Sequence, residues 1–411
     1  MRILVFSHYY YPEGNAPASR MHAMCSRWVQ QGHEVRVITC APNVPSGIVY
    51  EGYKNRLWPQ NEEIAGVKVK RVWTRLAANK GTLGRILNFV SYMVMAVLAA
   101  RFMRRPDIII ATSPQFFCGW AGLIASKFRL RRVRFVLEIR DMWPDSIVAV
   151  GAMNNKRLLG ILYKMEDWLY RGANHIVTVG QGYQQDLLDK GADAQKISII
   201  PNGVDKELFY PQEPDQEYVE KYIGPDRFAC AYIGTIGMAA GLDVAIRAGE
   251  ILKERGRDDI RLIMVGDGAE RENLEEELRQ KELDNVLFTG RLAKEEVPKI
   301  LSAVDSCLVH LKKKDLFKRV LPSKIFEMAA MKKPIILGVQ GCAAELLQEA
   351  GAGICIEPEN AEELVEAVCA LADNPEQCAR YGEDGREYVL KHYDRESLAD
   401  EYIEVLKQVT S

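Results

Sequence analysis

Short β-rich runs alternate with helical stretches from one end of the chain to the other, and this alternation narrows the possible folds most. A strand–helix–strand rhythm implies parallel sheets covered by helices on both faces. Strands are predicted at residues 2–6, 34–39, 67–72, 108–112, 134–139, 175–179 and 197–200. Helices fall between most of them, for example at 19–31 and 156–171, and Gly32 supplies a stop after the first. Pro201-Asn202-Gly203-Val204-Asp205 then breaks the rhythm, and a polar stretch follows at 210–226. The alternation restarts at 228–233 and continues through 260–265, 286–288, 306–311, 334–337 and 353–356, with helices closing the chain from about Ala361.

A chain of 411 residues exceeds what a single core usually supports. The break near residue 203 therefore separates two domains. The expected architecture is α/β, with two doubly wound Rossmann-like domains facing a cleft, because ligands of such sheets bind beyond the carboxyl ends of the strands. The boundaries are placed at 1–203 and 204–390. A final helix at 391–411 is expected to pack back on the first domain.

The formal net charge of −2 conceals an asymmetry. Residues 1–200 hold 27 Lys+Arg against 14 Asp+Glu, while the remainder holds 27 against 42. Between residues 66 and 135 there are 14 basic side chains and one acidic one, Asp107. Such a run is either a solvated face or a surface for an anionic partner. The nine cysteines form no Cys-x-x-Cys pair, which fits free thiols in a reducing cytoplasm and argues against cysteine-bound metal. No leader is read, since a strand pattern starts at Arg2. Residues 86–102 are apolar enough to reach the lower limit for a bilayer span, but strands on both sides argue for a helix of the alternating pattern.

Two glycine turns follow strands in the second half: Gly234-Thr235-Ile236-Gly237 and Val265-Gly266-Asp267-Gly268. Glycine lets a backbone approach a diphosphate closely, and a following helix amino end favours its charge. The alternative is a pair of plain connecting turns. More specific is Pro322-Ser323-Lys324-Ile325-Phe326-Glu327, read as a loop entering a helix with Ser323 as N-cap. Lys324 and Glu327 share a face at its first turn. A lysine there opposes the helix dipole, an inconsistency that a bound diphosphate would resolve. Glu327 could accept hydrogen bonds from ribose hydroxyls. A capping box is the other reading, but Phe326 stands where it needs Glu or Gln.

The chain resembles the GT-B-fold glycosyltransferases of family 4 over nearly its whole length. The resemblance is carried by Tyr11-Pro12-Glu13-Gly14, Gly32-His33-Glu34-Val35, Pro201-Asn202-Gly203-Val204-Asp205, Val265-Gly266-Asp267-Gly268, Thr289-Gly290-Arg291 and the Lys324–Glu327 turn. Ile139-Arg140-Asp141-Met142-Trp143-Pro144-Asp145 and Pro322-Ser323-Lys324 are similar to the colanic-acid and O-antigen subgroup, which includes L-fucosamine transferases. The resemblance implies retaining, metal-independent transfer from a nucleotide-sugar, a UDP-sugar favoured, to a polyprenyl-diphosphate-linked glycan. No cofactor is expected, because the nucleotide-sugar is a substrate. It further implies that Glu327 binds ribose and that Gly290, Arg291 and Leu292 hold the base. The sequence departs from the family in three places. Arg319 stands eight residues before Glu327, where the family has a second glutamate. The usual Arg and Lys after the first strand of the donor domain are absent, with Thr235 and Ala240 in that region. Gly14-Asn15-Ala16 replaces a glycine pair.

The expected donor site therefore comprises Gly234, Thr235, Gly237, Gly266, Gly290, Arg291, Leu292, Arg319, Ser323, Lys324 and Glu327. Lys324, Asp141 and Glu327 are the candidate catalytic residues, with Lys324 offsetting the leaving diphosphate and Asp141 orienting or deprotonating the acceptor hydroxyl. Glu13, Gly14, Asn15, Arg140, Asp141 and Trp143 are the candidate acceptor residues. For Arg140 and Asp141 a loop-fixing ion pair is an equal alternative, and Trp143 is either a sugar platform or packing. His8, near a strand end, reads as structural. The helix at 86–102, with Arg85, Arg101, Arg104, Arg105 and the basic run 127–132, is either buried or docked on an anionic membrane surface. Docking implies a cytoplasmic protein, peripheral on the inner face of the cytoplasmic membrane. Nucleic acid is not expected, since no recognised motif for it is present. Two other functions compete: a nucleotide-sugar epimerase of the same architecture and a catalytically idle nucleotide-sugar-binding protein.

Overall fold

A computed structural model of the chain describes residues 1–44, 46–77, 82–128, 132–149, 153 and 155–411. The chain divides into two compact units, Met1–Asn202 with Arg395–Ser411, and Gly203–Asp394.

The first unit is built on an eight-stranded sheet: β1 Arg2–Phe6, β2 Glu34–Cys40, β3 Gln60–Ile64, β4 Val67–Val72, β5 Ile108–Thr112, β6 Arg134–Ile139, β7 His175–Thr178 and β8 Ile197–Ile199. Their order is β3-β4-β2-β1-β5-β6-β7-β8. Every pair is parallel except β3 with β4. β3 was not anticipated, because Gln-Asn-Glu-Glu-Ile has no strand-like apolar alternation. It forms as a polar edge strand, tied to the sheet by Arg71. That buried side chain pairs with Glu62 and donates to the carbonyls of Cys40 at 3.0 Å and Tyr11 at 2.6 Å. Among the described residues, six α-helices connect the strands: α1 Ala16–Gln30, α2 Thr82–Arg101, α3 Phe116–Lys127, α4 Asp145–Ala149, α5 Lys156–Gly172 and α6 Gln181–Asp189. α1 starts where Asn15 caps it, accepting from Ala18 N–H at 2.9 Å.

The second unit has six parallel strands: β9 Phe228–Ile233, β10 Ile260–Val265, β11 Val286–Gly290, β12 Ser306–His310, β13 Ile335–Gly338 and β14 Gly353–Cys355. Their order is β11-β10-β9-β12-β13-β14. Its helices are α7 Gln216–Tyr218, α8 Asp243–Glu254, α9 Arg271–Gln280, α10 Val297–Ala303, α11 Lys324–Ala330, α12 Cys342–Ala350, α13 Ala361–Asp373 and α14 Pro375–His392. Two apolar layers sandwich the sheet, one around Ile325, Phe326 and Ile335, the other around Ile246, Leu262 and Leu364. α8 opens at Asp243, two residues beyond the expected start near Gly241.

The last helix, α15 Arg395–Thr410, belongs to the first unit. Leu398, Tyr402, Ile403 and Leu406 are buried with Met21, Met24 and Trp28 of α1. Trp28 Nε1–H donates to Ala399 O at 2.9 Å, and Arg27 grips Asp400 through two bonds of 2.8 and 2.9 Å. All nine cysteines are free thiols.

Candidate active site

In the second unit the order of connection reverses between β9 and β12: from β9 the chain runs outward to β10 and β11, then returns to β12, β13 and β14. That reversal point is where open α/β sheets take their ligands. The turns at the strand ends are laced together. Gly234 N–H donates to Val265 O and Gly266 N–H to Gly290 O, both at 2.9 Å. A Cβ on Gly266 would lie 1.8 Å from Gly234 O, so only glycine permits this approach.

Lys324 begins α11, a helix held by burial of Ile325, Phe326 and Met328. Its side chain reaches back to β9, where Nζ lies 3.8 Å from the centroid of the Tyr232 ring. A Cβ on Gly234 would stand 2.6 Å from the same Nζ. The lysine of one motif and the glycine turn of the other, 90 residues apart in sequence, thus share one spot. Among the described residues no carboxylate pairs with this ammonium. Tyr232 OH donates to Thr235 O at 2.9 Å and braces the turn from below.

The other expected donor residues lie on the segments that follow these strands and on α11. Thr235 is exposed and Gly237 half-buried in the loop leading to α8, and Glu327 lies half-buried one turn along α11. Arg291 is exposed just past Gly290, whereas Leu292 packs against the core. Arg319 ends the 3-10 turn Asp315–Arg319. Ser323 occupies the N-cap position of α11, but its side chain makes no capping bond: the backbone there is helical, with φ −61° and ψ −22°. The expected cap is corrected in that respect.

The expected acceptor residues lie in the first unit. Glu13 is buried, and its Oε1 accepts from the backbone N–H of Asn43 at 3.0 Å and Val44 at 3.2 Å. Burial pushes its pKa up. Gly14 is exposed beside it, and Asn15 is committed to capping α1. Arg140 and Asp141 form no ion pair with each other. Arg140 Nη2–H reaches Asn202 Oδ1 at 3.3 Å, while Asp141 Oδ2 accepts from Ser146 OH at 3.1 Å. The loop-fixing pair is thereby replaced by two separate contacts, because each side chain has a polar partner of its own. Burial lowers the Arg140 pKa to about 10 and raises that of Asp141. Trp143 stacks on Phe116 at 4.6 Å, and both line a recess with Ser113, Gln115 and Asp141. His8 is buried against Phe89 and Tyr92, and burial lowers its pKa to about 3, so it stays neutral.

Residues 15–203 match the family model of the glycosyl transferase 4-like domain, and residues 216–388 match that of glycosyl transferases group 1. The chain is a group 1 glycosyltransferase of the GT-B fold. Its relatives include the putative colanic acid biosynthesis glycosyl transferase WcaI of Escherichia coli K12, 27% identical over 416 residues that span 98% of this chain and 99% of that one. Sucrose-phosphate synthase from Thermosynechococcus elongatus shares the fold with a TM-score of 0.75 at 16% identity, covering 100% of this chain and 99% of that one. HepE of Anabaena, solved in complex with UDP-glucose, does so at 0.72 and 17% identity, covering 99% and 100%.

Several residues of this glycosyltransferase near the expected sites were missed in the sequence. Tyr232 reads as an ordinary strand aromatic, and nothing local marks it as the seat of Lys324. Gln115 caps α3 through Oε1, which accepts from Cys118 N–H, leaving a buried Nε2 without a partner among the described residues. Glu138, wholly buried on β6, pairs with Arg20 of α1 at 2.9 Å. Arg20 also donates to the carbonyls of Ile200 and Pro201, where β8 hands over to the linker. The only signal for that cluster was a charge inside an otherwise apolar strand.

Proposed function

We propose that this glycosyltransferase moves a sugar, with retention, from a nucleotide-sugar to a lipid-linked glycan in cell-surface polysaccharide synthesis, with a UDP-sugar as the first donor to test. The observation that carries this reading is the Lys324 ammonium lodged against the Gly234 turn, with no carboxylate partner among the described residues. A half-buried cation beside close-packed glycine backbone is suited to a diphosphate. In this reading Lys324 stabilises charge on the leaving diphosphate, Glu327 accepts from the ribose hydroxyls, and residues 290–292 flank the base. Asp141, more basic than an ordinary carboxylate because burial raises its pKa, receives or orients the acceptor hydroxyl. The names of the relatives support the same direction: HepE holds UDP-glucose, and WcaI is named for colanic acid synthesis.

The enzyme in this reading works on the inner face of the cytoplasmic membrane. Leu87, Val94 and Leu98 of α2, Phe102 just beyond it and Phe128 after α3 are exposed. Arg85, Arg101, Arg104, Arg105, Lys127 and Arg132 are exposed around them. Arg129, Leu130 and Arg131 of the expected basic run lie outside the described residues. The exposed apolar side chains together with these cations suit the interface of an anionic bilayer.

The test is incubation with a panel of UDP- and GDP-sugars, with and without a polyprenyl-diphosphate sugar. Sugar transferred to the lipid with the donor's anomeric configuration is the expected result. An altered free donor would replace this reading with an epimerase, and nucleotide binding without turnover would replace it with an idle binder.

A further inference from the structure

His310 is the last residue of β12 and only 1% exposed. Its Nδ1 lies 2.7 Å from Ala240 O, and its Nε2 lies 2.8 Å from Glu359 N. A carbonyl only accepts and a backbone amide only donates, so the proton must sit on Nδ1 and the lone pair on Nε2. The ring is therefore neutral and held in one tautomer, and burial lowers its pKa in keeping with that. One side chain thus ties together the end of β12, the loop after β9 and the segment after β14. Lys312 N–H adds a bond to Ala239 O at 2.9 Å.

The surroundings make room for this ring. A Cβ on Gly338 would stand 2.3 Å from His310 Cδ2, and one on Gly241, where φ is +63°, would stand 3.2 Å from Cε1. The near part of the loop has its own anchors. Tyr232 OH holds Thr235 O, Ile236 N–H donates to Asp267 O at 3.0 Å, and Ile236 O accepts from Glu270 N–H at 3.1 Å. The far end, at 239–240, is tied to β12 by His310 and the Lys312 amide, beside a local bond from Ala240 N–H to Gly237 O at 2.9 Å.

We propose that His310 is a positioning residue, which locks the loop 234–242 across the β9/β12 reversal point in the shape that receives the nucleotide diphosphate. The proposal rests on the donor-site reading above. A loop that must present backbone N–H groups to phosphate gains by being fixed before the ligand arrives, because ordering it on binding would subtract from affinity.

Asparagine and glutamine separate the two contacts of the ring. The asparagine amide sits about where Nδ1 does and can donate to Ala240 O, whereas the glutamine amide sits about where Nε2 does and can serve only Glu359 N–H. UDP and GDP affinity by calorimetry, amide hydrogen exchange over 234–242 and the thermal midpoint are measured for His310→Asn and His310→Gln. The expected result is a loss of nucleotide affinity of about 10-fold for His310→Gln, with faster exchange across the loop. His310→Asn should stay within about 3-fold of the unmodified enzyme on both readouts. Equal losses in both variants that track a fall in thermal midpoint would make His310 a packing residue and overturn the proposal. Unchanged affinity and exchange in both would overturn it as well. An unmodified enzyme that binds neither nucleotide, with the exchange difference intact, would sink the donor-site reading and uphold the lock.

Discussion

At the residue scale, Lys324 and Glu138 show two ways of placing a charge inside a fold. Lys324 faces an aromatic ring and a glycine turn, so removing it strands no partner. Lys324→Ala should therefore leave the thermal midpoint nearly unchanged while weakening UDP binding by about 10- to 100-fold, the range of a charge-assisted contact, as read by calorimetry. Glu138 is the opposite case. Burial alone would push its pKa up, but the charges of Arg20 and Arg140 prevail and hold it below the usual carboxylate value. A carboxylate depressed by folding contributes stability that is present above its unfolded pKa of about 4.3 and lost as pH falls through the folded value. Glu138→Gln should cost roughly 3–5 kcal/mol at neutral pH, because it leaves Arg20 and Arg140 buried without their counter-charge. It should also flatten the acid limb of the stability profile; denaturant titrations from pH 7 to 3 would check both effects. The glycine turns and Lys324 were legible one motif at a time, because each has a local reason to be what it is. Their meeting was not, nor was Tyr232 beneath them, since nothing in a strand-like Ala-Tyr-Ile says what will be laid over the ring.

At the element scale, strands of the alternating pattern were legible nearly to the residue, because a buried parallel strand needs a continuous apolar run. β3 escaped because an edge strand can be polar when cross-strand charges hold it, here Glu63 opposite Lys68 and Glu62 with Arg71. α15 carries a clear test. Leu398, Ile403 and Leu406 are almost fully buried, and each contributes on the order of 1.5–3 kcal/mol. Their sum rivals the whole stability of a typical domain. Deleting residues 395–411 should therefore unfold the first unit, seen as lost protection from hydrogen exchange in β1 and β2. For α2, the combined change Arg101→Ala, Arg104→Ala and Arg105→Ala should reduce co-sedimentation with anionic vesicles several-fold, at about 1 kcal/mol per cation near the surface. Undiminished sedimentation would place any docking elsewhere.

At the scale of the whole molecule, charge is divided between the halves: residues 1–200 carry a net of +13 and the rest −15. Vesicle binding should therefore weaken steeply between about 50 and 200 mM salt, because screening shortens the reach of that positive half. The sequence alone determined the class of fold, the break between two sheets near residue 203 and the family, since periodicity, turns and short motifs are properties of neighbours along the chain. Tertiary structure alone decided which of those pieces meet. Lys324 lies on the Gly234 turn, His310 clamps the loop behind it, Arg20 is buried with Glu138, and α15 completes the first core after the whole second sheet has been built. Such contacts join residues tens to hundreds of positions apart, and they are fixed by packing and by the pairing of buried polar groups, which no local pattern encodes.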